Sequence, residues 1–156
     1  MKKNGIFLLL FCLSLLQGYA QNQTLKTKER IAEFKTLFIQ NIQIQSGSLS
    51  KYKNINFKMD SCCITLEAVD FENQWDENSV IIMPTSGAVV HENGEISYET
   101  KAIKEILENK ISKQITTHFY NSSAEIGLFL KFENQEKYKE IQERIKELSG
   151  ACTAKN

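Results

Sequence analysis

Two histidines are the residues of this chain with the clearest catalytic potential, His91 in a predicted turn and His118 in a predicted strand. A hydrolase needs a nucleophile, a base and an orienting carboxylate that converge on one point. The sequence has neither a nucleophile-elbow motif nor a pair of histidines on one helix face. We therefore predict a non-catalytic protein with exposed histidines. The alternative is a hydrolase that uses His91 or His118 with a nearby carboxylate.

Three cysteines lie outside the N-terminal leader described below: Cys62, Cys63 and Cys152. Neighbouring side chains of a strand point to opposite faces, so the adjacent pair is poorly placed to bind one zinc ion. Redox catalysis usually employs two cysteines separated by two residues, a spacing that is missing here. The sequence therefore predicts a structural disulfide, which is typical of exported proteins, and neither a metal nor a cofactor.

The disulfide pairing depends on which face of the predicted strand each of the two adjacent cysteine side chains occupies. Cys62 shares its face with Ile64 and Leu66, which is the core face where a C-terminal helix must arrive. We predict a bond between Cys62 and Cys152, with Cys63 free. A Cys62–Cys63 bond would strain the strand, and a Cys63–Cys152 bond would need a register shifted by one residue. Both pairings remain open as alternatives.

A loop predicted over residues 71–78 is rich in carboxylates and carries the only tryptophan. It lacks the glycine and the spacing of a calcium-binding loop, so a solvated turn is expected. The carboxylates in and beside this loop are Asp70, Glu72, Asp76 and Glu77. Aromatic residues on loops are frequent binding hot spots. The aromatic candidates for a binding surface are Phe71, Trp75 and Tyr98, unless they cover the mouth of a small barrel.

Residues 1–20 have the pattern of a secretory signal peptide. Lys2 and Lys3 precede an uncharged apolar run, and small residues at Gly18 and Ala20 favour cleavage before Gln21. The run is shorter than the roughly 20 residues of a membrane-spanning helix. We predict an exported protein, periplasmic or extracellular, with no integral membrane segment once the leader is removed.

Residues 21–156 have the size of one small domain. Without the leader, 17 basic and 19 acidic residues remain, which gives a formal charge of −2 with both signs interspersed. Nucleic-acid binding needs a basic face, so a nucleic acid is not an expected partner.

The C-terminal unit carries the strongest structural pattern. Apolar side chains alternate from Ile126 to Phe132, which predicts a strand with one dry face, and Asn134 is a suitable N-cap for the helix that follows. Gly150 is predicted to end this helix. The helix has an apolar stripe made of Tyr138, Ile141, Ile145 and Leu148. We expect the stripe to pack on the sheet face that holds Ile64, Leu66, Leu128 and Leu130.

The preceding elements are one helix and several short strands. The spacing of Ile31, Phe34, Phe38 and Ile42 predicts a helix over residues 27–43. Alternating residues at 55–59 and 62–68 predict a hairpin, and residues 79–83 predict a strand that ends at Pro84. Residues 88–90 and 95–98 predict a second hairpin, with positive φ at both Asn93 and Gly94.

Residues 100–111 have two interpretations. Ile103, Ile106, Leu107 and Ile111 fit one helical face, and we predict a helix. The alternative is a strand over residues 102–107, a turn at residues 109 and 110, and a second strand from Ile111. In either case, residues 111–119 alternate as a strand.

A helix, a series of mostly antiparallel strands and a closing helix form an order that resembles the pleckstrin-homology-like barrel. The closing segments GLFLKFEN (residues 127–134) and KELSGAC (residues 146–152) also resemble those of small exported bacterial proteins. The resemblance implies an α+β fold with a bent sheet or partial barrel of about six to seven strands. Lipid-headgroup binding is not implied, because the turn at Asp60 is acidic and short. We predict a binding or interaction module whose partner is a protein or a small apolar ligand.

Overall fold

The computed structural model of the protein describes residues 24–45, 48–52, 54–69 and 76–153. The predicted signal peptide lies outside these residues, as do Asp70, Phe71, Glu72 and Trp75. The fold is α+β, as predicted, with an N-terminal helix, a C-terminal helix and mostly antiparallel strands between them.

Helix α1 spans residues 24–41. The strands are β1 (Ile42–Ile44), β2 (Asn54–Met59), β3 (Cys63–Val69), β4 (Glu77–Pro84), β5 (Val89–Val90), β6 (Ile96–Ser97), β7 (Ile103–Asn109), β8 (Ile115–Tyr120) and β9 (Leu128–Leu130). A short 3-10 helix at Ser48–Lys51 lies between β1 and β2, and helix α2 spans Glu136–Thr153.

The central sheet has five antiparallel strands in the order β2-β3-β4-β7-β8. Two small sheets accompany it, β1 with β9 and β5 with β6. The expectation of six to seven strands in one bent sheet is therefore wrong for the described part of the chain. There, the central sheet is not closed into a barrel and has two edges, β2 and β8.

The C-terminal helix packs through the predicted stripe. Tyr138, Ile141, Ile145 and Leu148 are each at most 7% exposed and belong to one core with the predicted sheet residues Ile64, Leu66, Leu128 and Leu130. Burial of a large apolar side chain contributes roughly 1.5 to 3 kcal/mol, so four of them are comparable to the net stability of a small domain. Helix α2 is thus a principal element of the core.

The N-terminal helix is shorter than predicted at its C-terminal end. It stops at residue 41, and Ile42–Ile44 continues as a strand paired with β9. The apolar residues Ile42 and Ile44 are compatible with the end of a helical stripe or with a strand. Pairing with the distant strand β9 determines that this segment is a strand. The buried face of α1 holds Phe34 and Phe38, and Phe38 stacks on Phe57 of β2 at 4.9 Å between ring centroids.

Both predicted hairpins are present, but the second has a different turn. β2 pairs with β3 so that Met59 lies opposite Ile64, as the alternating pattern required. In the turn between β5 and β6, Gly94 alone has positive φ, at 87°, and its N–H donates to the carbonyl of His91 at 2.9 Å. Glycine is needed there for a second reason, because a Cβ would overlap with the carbonyl oxygen of Leu130.

The predicted helix over residues 100–111 is wrong, and the alternative interpretation is correct for its first strand. The turn covers residues 110–112, and the second strand begins at Ile115 and not at Ile111, so the predicted strand over residues 111–119 is wrong at its start. Ile103–Asn109 is strand β7 in the central sheet. Its alternation is hidden because Glu105 occupies a core-facing position between Ile103 and Leu107. The Glu105 side chain is fully buried, and its carboxylate accepts hydrogen bonds from Ser79 Oγ at 2.9 Å and from Tyr120 Oη at 2.8 Å. This network makes a polar residue acceptable in the core.

The start of α2 agrees with the prediction, whereas its end and the length of the preceding strand do not. Asn134 Oδ1 accepts from the N–H of Glu136 at 2.9 Å, which confirms the N-cap. The last strand covers only Leu128–Leu130, although the neighbouring Ile126 is also fully buried. The prediction that Gly150 ends α2 is wrong, since the helix continues to Thr153. This extension carries Cys152 to Cys62, and the predicted disulfide between them is present with a Cα–Cα distance of 4.9 Å.

Candidate functional site

The histidines are exposed and do not form a catalytic cluster among the described residues. His91 Nε2 lies 2.6 Å from Ser97 Oγ, and no carboxylate hydrogen-bonds to this pair. His118 lies directly opposite the buried Glu105 in the register of β7 and β8, yet the carboxylate is bonded to Ser79 and Tyr120. The His118 ring instead faces that of Tyr120, with 6.4 Å between centroids. The arrangement offers a base without an orienting carboxylate.

The remaining thiol is also poorly suited to chemistry. Cys63 is half-buried and free, as predicted. Burial, and secondly the charge of Asp60, raises the pKa of the Cys63 thiol. Because the thiolate is the reactive form, a raised pKa disfavours nucleophilic or redox catalysis. No cluster of histidine, cysteine and carboxylate side chains suitable for a metal ion occurs in the described part of the chain.

The described residues form an open groove between the β5–β6 hairpin and the C-terminal half of α2. We call it the hairpin groove, and its volume is about 720 Å3. Pockets of roughly 300 to 1,000 Å3 are typical of sites for small molecules. The groove is lined by Thr85, Ser86, Gly87, Ala88, Val89, Val90, Tyr98, Glu99, Thr100, Ala102, Gln142, Ile145, Lys146 and Ser149.

Three segments that are distant in sequence build the groove. Pro84 ends β4, and the chain turns at Gly87, whose φ is 76°, before it enters β5. β6 leads into the second wall at residues 98–102. Helix α2 supplies the third wall, because the residues on one side of its buried stripe face the hairpin.

Gln142 joins the helix wall to the hairpin. Its Oε1 accepts a hydrogen bond from the N–H of Val90 at 2.6 Å, and its Nε2 donates to the carbonyl of Ala88 at 3.2 Å. The side-chain amide thus pairs with the backbone of β5 as a neighbouring strand would. The hairpin is held at a fixed distance from α2, so the groove is preformed.

The floor of the groove is apolar. Ala88, Tyr98 and Ile145 are buried at 6%, 8% and 1% exposure, and Val90 and Ala102 are partly buried against the same core. The hydroxyl of Tyr98 donates to the carbonyl of Pro84 at 2.5 Å. Burial, and secondly the neighbouring Cys63, raises the pKa of Tyr98 well above its usual range, so its ring is a neutral part of the floor at physiological pH.

The rim of the groove is polar. Ser86, Glu99, Thr100 and Lys146 are exposed, and Glu99 and Lys146 form no ion pair with any described residue. Both charges are therefore available to a polar group on a bound molecule. An apolar floor with a few polar groups at its edge is the usual composition of a small-molecule site.

Of the aromatic candidates from the sequence, Tyr98 lies in the groove, and Phe71 and Trp75 lie outside the described residues. Asp76 is exposed and Glu77 belongs to β4. Thr85, Ser86, Thr100 and Gln142 belong to no sequence motif and were not predicted as site residues. In the sequence, Gln142 is one of several polar residues that lie between the apolar stripe positions of α2. Its hydrogen bond to Val90, 52 positions away, could not be predicted from this local pattern.

No protein-family model, curated protein or solved structure matches this chain. No helix among the described residues is both long enough and apolar enough to cross a membrane.

Proposed function

We propose that this protein is a non-catalytic binding module that holds a small, mostly apolar molecule in the hairpin groove. The observation that carries the proposal is the groove itself, with its buried floor of Ala88, Tyr98 and Ile145 and its exposed rim. Its volume of about 720 Å3 suits a ligand of drug-like size.

The chemistry of the lining indicates the class of ligand. The floor favours an aliphatic or aromatic body, because it presents side chains that are already packed and desolvated. Lys146 lies on α2 beside the groove and suits an anionic group, and the hydroxyls of Ser86 and Thr100 suit a neutral polar group. An amphiphile with an apolar body and an anionic head satisfies both features.

A module of this kind fits an exported protein. The Cys62–Cys152 disulfide is typical of oxidising compartments and supports export, in agreement with the leader predicted at residues 1–20. The order of helix, antiparallel sheet and closing helix is the part of the pleckstrin-homology-like resemblance that we retain in this proposal. The hydrolase alternative is not favoured, since neither histidine is hydrogen-bonded to a carboxylate among the described residues.

The proposal is tested by filling the groove. Thr100→Trp places an indole ring at an exposed rim position without changing the core. We expect it to weaken the binding of anilinonaphthalene sulfonate, an apolar dye with an anionic group, about tenfold or more, because the ring occupies the space of the probe. Dye fluorescence in a titration of the purified protein measures the affinity.

Lys139→Trp is the matched control, since Lys139 is exposed on α2 and does not line the groove. It should bind the dye as the unmodified protein does. If Thr100→Trp impairs folding, Ser86→Trp on the opposite wall replaces it, and circular dichroism monitors the fold of each variant. Equal dye affinity in the groove variants and in the control would contradict the proposal.

A further inference from the structure

Strand β8 is an edge of the central sheet that no described residue covers. It pairs with β7 alone among the described strands, in a continuous register. Its sequence ITTHFY contains no proline, lysine, arginine, aspartate or glutamate, and residues 111–119 are all exposed. Natural proteins protect edge strands with lysine, proline, bulges or a covering element, because an open edge pairs with other strands.

The opposite edge of the same sheet shows the protection that β8 lacks. On β2, Lys58 forms an ion pair with Glu67 at 2.5 Å. Phe38 of α1 stacks on Phe57 of β2, so α1 covers that side of the sheet. The two edges of the sheet therefore differ, and the described residues leave β8 open.

The free hydrogen-bonding groups of β8 follow from its pairing with β7. The N–H of Asn109 donates to the carbonyl of Gln114 at 2.9 Å, which makes these two residues a hydrogen-bonded pair. In an antiparallel ladder such pairs alternate. The backbone groups of residues 116, 118 and 120 therefore point to β7, and those of Ile115, Thr117 and Phe119 point away from the sheet.

The side chains of the same three residues lie on the outer face of the sheet, opposite the core. Ile115 and Phe119 are 66% and 51% exposed, which is unusual for large apolar side chains four positions apart. Partly buried Ile106 lies beside Thr117 on the same face. Ile115, Thr117 and Phe119 therefore present both their free backbone N–H and C=O groups and their exposed side chains to the same potential partner.

We propose that β8 pairs with β8 of a second copy of this chain, antiparallel and around a two-fold axis at Thr117. In this register Ile115 lies opposite Phe119 of the second copy, and Thr117 lies opposite its own equivalent. The register satisfies all the outward N–H and C=O groups of Ile115, Thr117 and Phe119 in both copies. It also keeps the outer faces continuous, since opposite residues of antiparallel strands share a face.

The paired strands bring no like charges together. Lys113, just before β8, forms an ion pair with Glu108 of its own copy at 3.7 Å, and β8 itself contains no lysine, arginine, aspartate or glutamate. A single pair of short strands buries an area at the low end of specific interfaces, below about 1,200 Å2, so we expect a weak and concentration-dependent dimer.

Charge substitutions at the axis test both the dimer and its register. Thr117→Lys places two lysines opposite each other, and Thr117→Asp places two aspartates there. Each variant should weaken self-association about tenfold or more, because opposed like charges are destabilising. An equimolar mixture should form a heterodimer, because only in this register does residue 117 of one copy face residue 117 of the other. Sedimentation velocity at concentrations up to about 500 µM, suited to a small interface, measures the mass.

Ser112→Lys, at the exposed tip of the β7–β8 hairpin, is the control and should associate as the unmodified protein does. Far-ultraviolet circular dichroism checks that each variant is folded. An unmodified protein that stays monomeric over the whole range overturns the proposal. Self-association that Thr117→Lys leaves unchanged, or a mixture that fails to associate, overturns it as well. None of these results depends on whether the hairpin groove binds a ligand.

Discussion

The side-chain amide of Gln142 accepts a hydrogen bond from the backbone N–H of Val90 at 2.6 Å, and this bond joins α2 to a strand 52 residues away. The same amide donates to the carbonyl of Ala88. Hydrogen bonds from Leu130 and Ser123 fix the far side of the β5–β6 hairpin, and the Gln142 amide fixes the side that faces the hairpin groove.

Gln142→Leu should destabilise the protein by about 1 to 3 kcal/mol, because it leaves the part-buried N–H of Val90 without its partner. Chemical denaturation monitored by circular dichroism gives the free energy of unfolding. Glu143→Leu is the control: it alters the next, exposed residue and should change stability by less than about 0.5 kcal/mol. Equal effects of the two substitutions would show that the Gln142 bonds do not stabilise the hairpin.

Ile141→Ala and Ile145→Ala should each lower the free energy of unfolding by about 2 to 5 kcal/mol, because both side chains are at most 1% exposed in the core. Denaturant titration measures the loss. Lys139→Ala, on the exposed face of the same helix, separates packing from helix propensity and should have little effect. Losses below about 0.5 kcal/mol for the isoleucine variants would mean that α2 is solvated.

Removal of the disulfide should affect the whole domain. The bond closes a loop with a sequence separation of 90, so Cys152→Ser should cost about 4 to 5 kcal/mol in the chain-entropy model. Cys63→Ser retains the bond and should cost far less. Thermal melts of both variants, with non-reducing peptide mapping of the unmodified protein, make the comparison. A crosslinked peptide that contains Cys63 in place of Cys62 would contradict the pairing.

The network around Glu105 predicts a loss of stability at alkaline pH. Burial, and secondly the bond to Glu105, raises the pKa of Tyr120 well above its usual range, so the folded protein retains a proton that the unfolded chain releases. Stability is fully present below pH about 10, where unfolded tyrosine is still protonated, and falls as the pH rises further. Tyr120→Phe should reduce this fall, which denaturation at several alkaline pH values detects. An identical pH dependence in the variant would exclude Tyr120 as its source.

Elements whose partners are close in sequence or whose pattern is uninterrupted could be predicted. The β2–β3 hairpin and the stripe of α2 follow from strict periodicity, and the parity of Cys62 identified its bond to Cys152. These signals are local or rest on one face of one element. They required no knowledge of the rest of the fold.

The elements that could not be predicted depend on distant partners. Glu105 interrupts the alternation of β7, and only Ser79 and Tyr120 make its burial acceptable. β1 is a strand because Ile42–Ile44 meets β9, and Gly150 stays helical in the turn that brings Cys152 to its partner. The hairpin groove could not be predicted for the same reason. Its three walls come from three segments that are distant in sequence, and none of them contains a recognisable motif.

The most direct test of the proposed function is to locate a bound probe by nuclear magnetic resonance. Backbone amide shifts of the purified protein are followed during titration with anilinonaphthalene sulfonate. The proposal predicts that the largest changes occur at residues 85–90, 98–102 and 142–149, which build the hairpin groove. Changes concentrated at residues 115–120, or spread evenly over the domain, would contradict binding in the groove.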